Sequence, residues 1–558
     1  MAVRLIAIVL ALFCLSPMSF ADALADIIGA DVATRLREIV ESSRSCPVIT
    51  VSGQLCHASP ILPPFYEHRV FKPLWSGGDE PLPQAETLLQ SIKDAGREGL
   101  NPSDYHLKKI EVLLDEASRR RQSSQPLDPG TLADLDFLLS DAFLVYGNHL
   151  LHGRVDPLSI KSTWFNFKKD RDLGTDLSTA VANNQVEKTL LGFSPSSPGY
   201  SGLRKALEHY RALAASGGWP TVPPGPSLKP GKNNQRILPL RERMMAEGYL
   251  APEQNIGGDL FDKTLEAAVK TFQARNGLEI DGVVGPRTLE ALNVPAEERV
   301  NQIEVNMERW RWLPHNLEDR YIMVNTADYS LAVVEDGEPV LSMRVIVGLP
   351  YWSTPVFSAT MTYLVFNPYW NVPPNIARKE TIPDIRKNPD YLAENNMEIV
   401  SGYGSDIETI DPATIDWQTL SPWRFPYRFR QRPGPKNSLG RVKFMFPNKF
   451  DVYLHDTPAK ALFSRTRRNF SHGCIRIEKP MELAEYLLQD DPAWTREKIL
   501  AELDTNTEKI VRLTRPIPVH IMYWTAWADE NGVAHFRSDI YERDVKVLQA
   551  LRESPPGA

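Results

Sequence analysis

Six consecutive residues, Ser471-His472-Gly473-Cys474-Ile475-Arg476, place a thiol directly after a glycine, with a histidine two residues before it and an arginine two residues after. A second histidine, His455, stands nineteen residues before the cysteine in Tyr453-Leu454-His455-Asp456. Attack on an acyl carbon needs a thiolate, a base to take its proton and donors for the oxyanion. Cys474 supplies the nucleophile. Gly473 lets backbone approach a substrate closely, and the N–H groups of Gly473 and Cys474 are the expected oxyanion donors. His455, at the end of an expected strand, is the candidate base that lowers the thiol pKa. In an extended segment His472 points away from Gly473 and reaches the nucleophile's surroundings. Arg476 shares the face of Cys474 and suits a substrate carboxylate.

Three other chemistries compete for these residues. Zinc would use His455, His472 and Cys474 with Asp456, but no paired CxxC or HExxH spacing accompanies them, so no metal is expected. A redox thiol lacks a resolving partner. A buried, inert cysteine accounts for neither the glycine nor His455.

The chain has 558 residues, 42% hydrophobic and 24% charged. At roughly 100–200 residues per domain this suggests three or four domains. A formal net charge of −7, with Lys and Arg scattered rather than clustered, gives no footing for a nucleic-acid partner. Residues 1–21 read as a signal peptide, with Arg4 before an apolar core from Leu5 to Leu15 and a Ser19-Phe20-Ala21 cleavage site. The apolar run falls short of the roughly 20 residues a span needs, and bulky Phe13 argues against lipid attachment at Cys14. Export to the periplasm is expected, with an uncleaved inner-membrane anchor as the other reading. Cleavage leaves Cys46, Cys56 and Cys474. In an oxidising compartment the spacing of Cys46 and Cys56 predicts a short disulfide loop across Pro47 to Leu55, with Cys474 the odd thiol.

Residues 22–216 are expected to form a helical scaffold domain. Leu132, Leu135, Leu139, Phe143 and Tyr146 form one clear stripe at helical spacing. His149 and His152 end that helix without a third ligand nearby and read as core or capping residues. Residues 217–234 are rich in Pro and Gly and read as a linker. Residues 235–295 form a three-helix module, with Leu238, Leu240 and Met244 on its first helix, Leu265, Val269 and Phe272 on its second, and Leu289 and Leu292 on its third. Residues 300–540 carry β patterns, including a hairpin turning at Asp336-Gly337. They are interrupted at 367–440 by an insertion long enough to be a lid or small subdomain over the site. Trp370 and Trp423 there either line a groove or pin the lid to the body. Residues 541–558 are expected to be a C-terminal tail. The fold class is α+β and multidomain.

Two resemblances follow. Thr264 to Gln273 with Asp281 to Leu289 resembles the three-helix peptidoglycan-binding domain of cell-wall enzymes. His455 followed by Ser471-His472-Gly473-Cys474-Ile475-Arg476 resembles the active-site signature of the L,D-transpeptidases (the YkuD-type catalytic domain). Asn367 to Pro374, the insertion, the peptidoglycan-binding module and the helical region resemble the large multidomain periplasmic branch of that family. The resemblance implies an acylated nucleophile at Cys474, a base at His455, and substrate or oxyanion contacts at Tyr453, Ser471, His472, Gly473 and Arg476. Some members carry Asn in place of Arg476. It implies no cofactor, with peptidoglycan stem peptides and glycan, and cell-wall synthesis proteins, as partners. The implied reaction is a 3→3 diaminopimelate cross-link formed through a thioester, by a cysteine that carbapenem-type β-lactams also acylate. Two alternatives stay open: the same chemistry attaching or releasing an outer-membrane lipoprotein, and a non-catalytic wall-binding scaffold.

Overall fold

The computed structural model describes residues 20–44, 48–160, 170–255, 258–314 and 317–554. Residues 1–19 of the expected signal peptide, and Cys46, lie outside the described residues. No described helix is long and apolar enough to cross a membrane.

The N-terminal region is built around helix α1, Pro129–His152, whose start is capped by the Asp128 carboxylate accepting from the Thr131 N–H at 2.9 Å. The expected one-sided stripe is an understatement. Ala133, Phe137, Leu138, Leu144 and Val145 are buried as well, because neighbouring helices cover α1 on nearly every side. His149 is a core residue, its Nδ1 3.1 Å from the Tyr105 hydroxyl. Cys56 closes a small hairpin, Ile49–Val51 with Gln54–Cys56, and corrects an expectation: it is a free, buried thiol. Its side chain lies beside His106 and Asp141, and the partner expected for it, Cys46, is outside the described residues.

The Pro/Gly segment after helix α2, Pro198–Ala215, is a strap held against the next module. Val222 is buried and exchanges two hydrogen bonds with the Asn293 side chain, at 2.8 and 2.9 Å. The three expected helices form at Ile237–Ala246, Lys263–Arg275 and Pro286–Leu292 around Leu240, Met244, Leu265, Val269, Phe272 and Leu292. Leu238 is exposed on its helix. Helix α3, Ala296–Arg311, then runs between the domains, and buried Arg309 pairs with Asp544 at 2.7 Å. Asp544 opens helix α4, Asp544–Arg552, so half of the expected tail is helix. Val547 and Leu551 give it an apolar face, and Arg154 of the N-terminal region donates to the Ala550 carbonyl at 2.7 Å.

Nine strands form the largest sheet: β1 Arg320–Asn325, β2 Ser330–Glu335, β3 Glu338–Gly348, β4 Phe357–Phe366, β5 Val442–Met445, β6 Leu454–His455, β7 Asn469–Ser471, β8 Ile475–Ile477 and β9 Lys509–Met522. Their order is β7-β3-β8-β6-β5-β4-β9-β1-β2, and β2 pairs with β3 again, so the strands close into a ring with no long free edge. The Asp336-Gly337 hairpin is present, both residues at positive φ as a two-residue turn requires. Strand β9 is longer than its sequence suggests. Pro516 and Pro518 interrupt the pattern; a register shift between Arg512 and Ile517 absorbs Pro516, and Pro518 pairs in register with Thr360.

The insertion is a folded subdomain. It leaves and re-enters the sheet at neighbouring points, where the Asn367 N–H donates to the Arg441 carbonyl at 2.8 Å. Four short strands pair in the order 408–410, 397–401, 428–431, 370–371 over a core of Val372, Ile382, Ile385, Leu392, Ile399 and Phe429. Its helical segment spans Pro374 to Lys387 with a π turn at Ala377–Thr381.

Candidate active site

The ring's interior is apolar: Val442, Phe444, Leu454, Ile475 and Ile477 all point into it. The alternating positions therefore face outward. Strand β6 runs parallel to β8 with His455 opposite Arg476, and β5 runs antiparallel to β6 with Lys443 opposite His455. Lys443, His455 and Arg476 thus form one row across three strands. Cys474 sits just before β8 beside Tyr453, whose carbonyl accepts from the Ile475 N–H at 3.2 Å.

Cys474 is half-buried, its sulfur 3.8 Å from the Asp451 carbonyl oxygen. Burial pushes its thiol up, against a hydrogen bond from the Tyr453 hydroxyl and the nearby cations Lys443 and Arg476. The resting sulfur is accordingly a protonated thiol. Burial, and then the sulfur, push the Tyr453 hydroxyl up as well, which keeps it a donor. The Lys443 ammonium sits 3.9 Å from the centre of the Tyr453 ring.

His455 is buried, and its Nδ1 lies 2.6 Å from the Asp456 carbonyl oxygen. Burial, followed by the Arg476 charge, lowers it to about 3 despite that carbonyl, so the imidazole is neutral. A carbonyl only accepts, so Nδ1 carries the proton and Nε2 holds the free lone pair. The sulfur's hydrogen-bond contact is the Asp451 carbonyl, and the groups that hold its pKa down are Tyr453, Lys443 and Arg476 rather than His455, which differs from the thiol-lowering contact expected of His455.

Backbone geometry revises the oxyanion donors too. Gly473 has φ 116°, a conformation that favours glycine, and an added Cβ would meet nothing nearer than 3.6 Å, so conformation rather than space demands glycine here. In that conformation the Gly473 N–H donates to Ser471 Oγ at 3.1 Å, while Ser471 donates to the Cys474 carbonyl at 2.5 Å. Ser471 therefore braces the turn, and the Gly473 N–H is already engaged. The Cys474 N–H has no hydrogen-bond partner among the described residues. Thr354 locks the turn from the other side, donating to the Gly473 carbonyl at 2.9 Å.

The remaining wall comes from residues that the sequence did not single out. The His472 ring lies 4.0 Å from that of Trp352, centre to centre, and its Nε2 is 2.7 Å from a Glu380 carboxylate oxygen. Glu380 belongs to the insertion's π turn, a helix irregularity that recurs at functional sites. Lys379 on the same turn is 5.6 Å from the Trp352 ring centre. The insertion thus touches the cysteine's own motif. Trp370 packs against the insertion's own core, whereas Trp423 is 76% exposed with Arg378 over its ring.

A ring of strands presenting a cysteine beneath a folded insertion, with a small three-helix module before it, agrees with the family comparisons. Residues 319–498 match the family described as "L,D-transpeptidase catalytic domain", residues 233–292 that described as "Putative peptidoglycan binding domain", and residues 61–207 that described as "Scaffold domain". The chain therefore carries an L,D-transpeptidase catalytic domain together with a peptidoglycan-binding domain, in a multidomain α+β architecture. It is 34% identical over 259 residues to a Haemophilus influenzae protein named "Putative L,D-transpeptidase", an alignment covering 46% of this chain and 51% of that one. It is also 34% identical over 68 residues to the N-acetylmuramoyl-L-alanine amidase CwlL of Bacillus licheniformis, covering 12% of this chain and 19% of the amidase. The chain thus spans about half the length of the first relative and about a fifth of the second. A crystal structure of an L,D-transpeptidase from Xylanimonas cellulosilytica aligns over 54% of this chain and 99% of that one at 15% identity, with a TM-score of 0.17, too loose a superposition to carry an argument.

Proposed function

We propose that the protein is a periplasmic peptidoglycan L,D-transpeptidase that forms 3→3 cross-links through an acyl-enzyme on Cys474. The observation that carries this reading is the half-buried Cys474 sulfur, beside the Asp451 carbonyl, with Tyr453, Lys443 and Arg476 around it all holding its pKa down against burial. In the first step the sulfur attacks the carbonyl of the third residue of a tetrapeptide stem. The S–C bond forms, the amide C–N bond to the terminal D-alanine breaks, and the thiol proton passes to the departing amine. His455 Nε2 is the group suited to relay that proton, because its ring is neutral and its tautomer is fixed. The Cys474 N–H and the Tyr453 hydroxyl are the donors suited to the oxyanion. In the second step the side-chain amine of another stem attacks the thioester, releasing the thiolate and giving up a proton.

The insertion fits this two-step logic. A thioester exposed to water hydrolyses, so a subdomain held against His472 through Glu380 favours transfer to an amine. The peptidoglycan-binding domain supports the same polymer as substrate. The test is muropeptide analysis after expression in a host lacking its own L,D-transpeptidases. Dimers linked 3→3 are expected with the wild-type chain and absent with Cys474→Ala. Their absence with well-folded wild type contradicts the reading.

A further inference from the structure

Strand β5 alternates Val442 and Phe444 into the core with Lys443 and Met445 outward, and register sets Lys443 on one side of His455 and Arg476 on the other. Neither cation has an ion-pair partner among the described residues. The Nε of Arg476 is buried without a hydrogen bond. Burial lowers both groups; Cys474 opposes this for both, and Glu508 and Asp451 do so for Lys443, but neither carboxylate pairs with it. Two half-buried cations without counter-ions are costly to maintain in a folded chain, and a buried guanidinium donor left unpaired adds to that cost. Both lie close enough to Cys474 to act on its charge. The missing partner is therefore an anion that arrives with whatever reacts at the sulfur.

We infer that Lys443 and Arg476 together form a carboxylate-binding site that holds the donor stem beside Cys474. This rests on the reading of the protein as acting on peptidoglycan stems. Lys443 supplies a point charge anchored on the Tyr453 ring, and Arg476 a planar fork for the two carboxylate oxygens. A carboxylate bound there also offsets the two charges that oppose protonation of His455, so recognition and proton relay are linked through one row of side chains. A donor stem offers two such groups, the free side-chain carboxylate of its third residue and the C-terminal carboxylate of the leaving D-alanine.

The test is calorimetric binding of tetrapeptide stems to the full-length chain carrying Cys474→Ala. The stems are unmodified, amidated at the side-chain carboxylate, or amidated at the C terminus. Amidating the recognised carboxylate is expected to weaken binding about tenfold to a hundredfold, and the affected arm identifies the source. Adding Lys443→Met is expected to erase that difference, and Lys443→Arg to restore it, which separates charge recognition from simple misfolding. In the wild-type enzyme the same amidation lowers kcat as well as raising KM. Equal binding of all three stems, or discrimination that survives Lys443→Met, overturns the site while leaving the proposed reaction standing. Discrimination without any acyl adduct on the wild type sinks the reaction and leaves the site. If no stem binds, both fall.

Discussion

The Nδ1 atom of His455 lies 2.6 Å from the carbonyl oxygen of Asp456, its neighbour in the chain, and this fixes which nitrogen is free. The folded-state pKa of about 3 lies below the ordinary value of 6.5. The unfolded chain thus binds one more proton here between those pH values, and stability falls as pH drops through that window, by about 1.4 kcal/mol per unit. The buried His149 acts in the same direction. Histidine-selective NMR should find one imidazole, absent from the His455→Gln variant, that stays neutral at pH 5. Titration of that signal near pH 6.5 contradicts the account.

Tyr453 lowers the Cys474 thiol against the effect of burial, first through its backbone and then through its hydroxyl. Tyr453→Phe keeps the ring under Lys443 and removes only the donor. Acylation is expected to slow by on the order of 10²-fold, as for loss of one oxyanion donor. The resting thiol moves further up, so iodoacetamide alkylation of Cys474 at pH 8 should also slow. Unchanged rates in both assays rule out a role for the hydroxyl.

Glu380 joins the insertion to the motif through His472. Both side chains are partly exposed, so Glu380→Gln should leave the melting temperature within a degree or two of wild type. Its expected effect is on partitioning: hydrolysed tripeptide should rise several-fold relative to cross-linked dimer when products are separated by chromatography. An unaltered product ratio removes the insertion from the control of water.

The motif was legible because Tyr453, His455, Ser471, Gly473 and Cys474 occupy two short stretches whose spacing alone suggests a nucleophile and a base. Lys443, Trp352 and Glu380 were not, since only strand pairing and the folding of the insertion bring them to the cysteine. Spacing says nothing of direction: the hairpin turns the Cys56 thiol into the core. The free N–H of Gly473 was an expectation from residue type, and the Ser471 hydroxyl takes it only in the conformation the turn adopts. The C-terminal helix is not legible in the sequence because its few apolar residues have meaning only against α3.

The central claim is that Cys474 becomes acylated by a peptidoglycan stem. Intact-mass spectrometry of the purified chain incubated with a tetrapeptide stem measures this directly. The account predicts an adduct equal to the stem less its terminal D-alanine, mapped to Cys474 and absent from Cys474→Ala. A folded wild-type chain that stays unmodified, or an adduct that persists in Cys474→Ala, contradicts it.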